Sequence, residues 1–127
     1  MKYTGQIEFT IVEQRPERVV AEMPVLAGIL NPYGIANAGA IVWFADVAAS
    51  VLAFGGSDFE ANRQSFPLAI NLNANFLGNQ PDGVFTATAE FVRRGKRLSV
   101  IRTTVTGKDG RLIADITTSH MPVQPAG

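Results

Sequence analysis

Between Met23 and Ser57 the chain carries a single charge, Asp46, set midway along its most apolar stretch. The run from Ala38 to Phe54 is rich in good helix formers and contains no proline, and Gly55-Gly56 follows as a stop,. Apolar residues fall on every face of such a helix, so it must be covered on all sides. A carboxylate inside that environment costs free energy of desolvation unless something compensates it. Asp46 is therefore either tied to a structural partner or kept for chemistry.

The rest of the composition narrows the classes. A chain of 127 residues with no compositional break is expected to form one domain, 1–127,. Eleven basic and eleven acidic residues cancel, which leaves no electrostatic footprint for nucleic acid or an anionic membrane. Cysteine is absent, so disulfides and thiolate metal sites are excluded, and a cytoplasmic location is expected. The N-terminus lacks an apolar signal core,. Ile35 to Phe54 is long enough to span a bilayer, but a central Asp costs about 2.5–3.5 kcal/mol there. A soluble protein is the expectation.

The flanking sequence is strand material. Tyr3 to Gln14 and Arg18 to Met23 surround a turn at Arg15-Pro16-Glu17, and Ser57 to Ser65 reads as polar loop. Leu68 to Phe76 alternates, with Leu68, Ile70, Leu72, Ala74 and Phe76 expected on one face and Asn71, Asn73 and Asn75 on the other,. Turn residues 78–83 precede Val84 to Val92, which Arg93 to Arg97 joins to Leu98–Thr106. Asp109-Gly110 favours a type I′ turn into Leu112–His120, and Pro122 and Pro125 end the order,. The class is α+β: a curved antiparallel sheet wrapped around one central helix. The helix face that one sheet cannot cover calls for a second copy, so a homo-oligomer, a dimer or a dimer of dimers, is expected.

At the helix start, the N–H groups of Ala38, Gly39 and Ala40 and the positive end of the helix dipole form an anion or oxyanion site,. Asn37 is placed to cap the helix. Asn31 either presents its amide to a ligand or shapes the turn at Pro32. Asp46 lies seven residues from Gly39, about 10 Å along the axis. Cooperation between carboxylate and helix tip therefore needs two antiparallel helices across a dimer. Ser50, one turn past Asp46, either holds a water beside the carboxylate or bonds its own i−4 carbonyl.

These residues carry a resemblance. Asn31, Asn37-Ala38-Gly39 and Asp46 fall at the spacing N/Q-x5-His-Gly-Gly-x6-Asp/Glu of the hotdog-fold acyl-CoA thioesterases, and the phenylacetate-degradation and 4-hydroxybenzoyl-CoA types are most similar. The similarity covers nearly the whole chain. It implies a hotdog fold and hydrolysis of an acyl-CoA or related thioester. Asp46 would serve as nucleophile or general base, the Ala38 N–H as oxyanion donor, and Asn31 would orient substrate or water. Gly39 and Ser50 would contact substrate. Asn37 departs from the family's histidine, Ala38 replaces its first glycine, and Ala69 stands where some relatives carry serine.

Arg93, Arg94, Lys96 and Arg97 form the only basic cluster. Under the resemblance they meet CoA phosphates; otherwise they are a solvated hairpin tip. His120, the sole histidine, reads as a partly exposed strand residue. No cluster has metal-ligand spacing, and no cofactor is expected. The competing reading is an acyl-thioester-binding protein of the same fold without catalysis.

Overall fold

The computed structural model describes residues 1–55 and 67–122. The stretch expected as a loop, Ser57 to Ser65, lies outside the described residues, as does Pro125. Strands β1 (Thr10–Arg15) and β2 (Arg18–Pro24) lead through a short 3-10 turn (Ala27–Ile29) into helix α1 (Ala38–Phe54). Then follow β3 (Pro67–Phe76), β4 (Val84–Arg93), β5 (Ser99–Thr106) and β6 (Leu112–Pro122). One six-stranded sheet results, in the order β1-β2-β4-β5-β6-β3, with every pairing antiparallel. Helix α1 touches all six strands, so the sheet curls about it. This is the hotdog architecture.

The helix limits follow from local chemistry. Asn37 sits at φ −65°, ψ 134°, and its side-chain Oδ1 accepts from the Gly39 N–H at 3.1 Å, an N-cap. At the other end Gly55 takes a left-handed φ of 80°, and its N–H donates to the Val51 and Leu52 carbonyls,. Ile41, Phe44, Ala45, Ala48, Ala49 and Leu52 form the buried face. They meet Ala21, Ala87 and Ala89 of the sheet, all fully buried. Small side chains on both surfaces let helix and sheet approach closely, and Phe44, fully buried, contributes about 1.5–3 kcal/mol of apolar transfer,. The opposite face, with Val42, Trp43, Val47 and Val51, stays partly exposed.

Two strand expectations are corrected. Residues 3–9 are not part of β1, because β2 ends at Pro24 and Thr10↔Glu22 is the outermost pair recorded between the two strands. The segment instead packs over the helix start. Phe9 meets Trp43 and Phe44 edge-on, with ring centroids 4.8 Å and 5.1 Å away, and the Gln6 N–H donates to the Gly28 carbonyl at 3.0 Å. Gly28 is required there, since a Cβ would lie 2.4 Å from the Gln6 carbonyl oxygen.

The second correction concerns β3. Ala69 pairs with His120 but Asn71 pairs with Ser119, so Ile70 is the extra residue of a bulge. Beyond it Leu72, Ala74 and Phe76 face the helix as expected. Before it the parity reverses: Ala69 shares the inner face with buried His120, and Leu68 joins the asparagines outside,.

Candidate active site

Asp46 is half-buried on α1, and its Oδ1 is fully buried without a hydrogen-bond partner. No ion pair holds it among the described residues. It opens into a groove of about 450 Å³ lined by Gly39, Val42 and Trp43 of the helix and by residues 69–72 of β3. Ala69, next to the bulge, lines this groove together with Ile70, Asn71 and Leu72. Trp43 (40 % exposed) and Gly39 also border a second groove of about 470 Å³, whose other walls come from residues 3–7 and 28–30. The N-terminal segment is therefore a wall of the cleft at the helix start.

The helix start offers fewer free donors than its sequence implies. The Asn37 side chain takes the Gly39 N–H and the Asn37 carbonyl takes that of Ala40, at 3.0 Å. The N–H of Ala38 makes no hydrogen bond with the described residues, and Ala38 is exposed. One backbone donor remains for a ligand, reinforced by the dipole of a 17-residue helix,.

Asn31 shapes the approach. Its Oδ1 accepts from the N–H groups of Tyr33 (2.9 Å) and Ile35 (3.3 Å), which leaves the side-chain NH2 as its free group. Asn79, read from sequence only as turn chemistry, fixes the other end of this loop. Its side-chain oxygen accepts from the Ala36 N–H at 3.0 Å, and its NH2 donates to the Ala36 carbonyl at 2.9 Å. This two-point grip falls one residue before the cap. Asn79→Ala is expected to destabilise the fold by about 1–3 kcal/mol, measured by chemical denaturation, because it orphans both groups of a buried peptide.

Ser50 is half-buried one turn past Asp46 and does not line the groove. Arg93, Arg94, Lys96 and Arg97 are exposed on the β4–β5 hairpin, with the Arg94 guanidinium 4.9 Å from the Phe91 ring centroid. Register fixes their distance from the groove. Ser99, just past the tip, pairs with His120, which pairs with Ala69. Ser99 thus stands about two strand spacings, roughly 10 Å, from the groove wall, and the basic residues lie beyond it at the Asp46 end of the sheet,.

His120 corrects the expectation of a partly exposed residue: it is 1 % exposed, on the inner face of β6. Its Nε2 lies 2.8 Å from Thr118 Oγ1, and Nδ1 has no partner of normal geometry. Burial pushes its pKa down, while the Pro67 carbonyl and the charge of Asp46 oppose that shift. The available signal was parity, since Ala114 and Ile116 point inward and the same alternation carries Thr118 and His120 with them. Among the described residues no group of three or more acidic or histidine side chains could hold a metal. None of their helices is long and apolar enough to cross a membrane.

Residues 33–114 match the model of the thioesterase superfamily. The chain belongs to that superfamily. Relatives agree with it. The chain is 33% identical over 115 residues, 89% of each protein, to ComA2 of Bacillus subtilis strain 168, which bears an inferred esterase assignment. It is 27% identical over 107 residues, 84% of each, to the 1,4-dihydroxy-2-naphthoyl-CoA hydrolase of Listeria monocytogenes. A variant of the Staphylococcus aureus thioesterase SAV0944 superposes with a TM-score of 0.83 at 28% identity, over 91% of this chain and 93% of that one. As a member of this superfamily the chain is a thioester hydrolase; the site and the substrate are separate matters.

Proposed function

We propose that this thioesterase-superfamily member hydrolyses acyl-CoA thioesters at two equivalent sites in a homodimer, each combining Asp46 of one chain with the helix tip of the other. The observation that carries this reading is the buried, unpaired Oδ1 of Asp46 opening into a groove. A charge held so costs stability unless it is used. The Ala38 N–H, about 12 Å up the same helix, is too far to serve its own Asp46, so a second helix must bring one.

The surface supports that pairing. β3 is an edge strand that exposes Ile70 (58 %) and Phe76 (47 %), with Leu77 (56 %) just past its end, and an uncovered edge invites a partner strand. Antiparallel β3–β3 pairing about a two-fold axis also covers the half-exposed face of α1 and closes the groove against water.

In the bound state the thioester oxygen takes the Ala38 N–H, and the helix dipole stabilises the charge developing on it. Asp46 attacks the carbonyl carbon to give a mixed anhydride that water then hydrolyses, or it takes the proton of an attacking water. In both cases the C–S bond breaks, CoA leaves as a thiolate that takes up that proton or one from solvent, and the acyl group is released as the carboxylate. Asn37 holds the donor in place, Asn31 offers its NH2, and Gly39, which borders both grooves, flanks the acyl path. The basic hairpin meets the CoA phosphates. The kinship to a naphthoyl-CoA hydrolase and the Trp43-lined cleft favour an aromatic acyl group.

The test is free-thiol release from short, medium and aromatic acyl-CoAs, 1,4-dihydroxy-2-naphthoyl-CoA included. Turnover well above background, fastest with an aromatic acyl group, is expected. Background rates throughout, with measurable acyl-CoA binding, would establish the non-catalytic reading. Asn37 favours that alternative, because it cannot titrate as the family's histidine does.

A further inference from the structure

Two buried polar atoms lack a hydrogen bond of normal geometry, Oδ1 of Asp46 on α1 and Nδ1 of His120 on β6, the His120 ring having only the Pro67 carbonyl nearby besides Thr118. Such atoms are rare in a folded protein and call for a cause. Their elements pack together, and the groove wall connects them, since Ala69 lines the cavity that Asp46 enters and is the cross-strand partner of His120. Directly opposed residues stand about 4.5–5.5 Å apart at Cβ. The ring is not free to turn away, because Thr118 Oγ1 holds Nε2 at 2.8 Å.

We propose that His120 is a positioning residue for Asp46: a buried, neutral imidazole behind the carboxylate whose protonation weakens Asp46 as a base and switches the site off in acid. The idea rests on Asp46 as the reacting carboxylate and adds a pH control to it. The neutral ring leaves the charge of Asp46 intact. A protonated ring puts a positive charge beside it in a poorly screened interior, which stabilises the carboxylate and lowers its affinity for a proton. Asp46 is the charged group that faces the ring from α1; β3 presents Ala69 and the Pro67 carbonyl, β5 presents Ser99, and β6 itself presents Thr118, none of which titrates in this range. Asn37 leaves the helix tip without a titratable group, so His120 is the only imidazole the site has. Burial holding the ring neutral agrees with this role. The unfolded chain then binds the proton more readily, so stability falls as pH drops below about 6.5 towards the folded midpoint, and is fully present above it.

His120 being the chain's sole histidine, its ring proton resonance needs no assignment in a titration followed by NMR. The wild-type midpoint is expected below 6.5. In Asp46→Asn it should fall further, because the charge that favours the protonated ring has gone,. Equal midpoints in the two proteins, or a ring that fails to titrate in either before unfolding, overturn the proposal. For catalysis, His120→Gln should keep KM and retain a larger fraction of its neutral-pH kcat at pH 5 than wild type does; parallel acid limbs overturn the switch. A shifted midpoint in a protein that hydrolyses no thioester would sink the proposed function while leaving the pairing standing.

Discussion

Asp46→Asn is expected to lower thioester hydrolysis by about 10²-fold or more, the scale of general acid–base catalysis, with the fold unharmed. The two side chains are nearly the same size, so the packing around Val42, Trp43 and Ala69 is preserved while the group that attacks, or takes a proton, is lost. Removing a half-buried, unpaired charge also relieves a desolvation cost. The variant should therefore melt at the same temperature as wild type or higher, the trade expected where stability is given up for activity. Rate and melting temperature together decide the matter. Unchanged hydrolysis removes Asp46 from the mechanism, and a marked fall in melting temperature makes it a structural residue instead.

The second large effect comes from Ala38→Pro. Position 38 is the first residue of α1, where proline is well tolerated, and Asn37 already has the extended backbone that a following proline demands,. The substitution deletes the one free backbone donor at the tip and leaves the helix intact. Loss of an oxyanion donor costs about 10²–10³ in kcat. The two variants also test where each site's parts come from. Mixed in equal amounts under subunit exchange, half of the dimers are heterodimers with one of two sites whole, so about a quarter of wild-type activity should return. Sites confined within single chains would give no recovery.

Much of this was legible in the residue order. The long apolar run with its glycine stop gave α1 to the residue, and Asp109-Gly110 marked a turn in which both residues do take left-handed φ values of 58° and 73°. Asp46 announced itself by being charged where nothing else is. Four features were harder to read, each for a physical reason. Residues 3–9 alternate like a strand, but a strand needs a neighbour, and Pro24 ends the only one on offer. The burial of His120 depends on the helix lying across β6, which the local run of threonines does not reveal. The bulge at Ile70 carries no glycine or proline to mark it. Asn79 looked like any turn residue, because its grip on Ala36 spans 43 positions in sequence.

That bulge has a consequence for how the cleft can change over time. Deleting Ile70 would take out the extra residue, joining Ala69 directly to Asn71 while the pairs Ala69↔His120 and Asn71↔Ser119 and the inward parity of Ala69 stay as they are,. A single lost codon would thereby strip the Ile70 side chain from the groove wall and straighten the strand there, without altering any residue proposed to perform the reaction,.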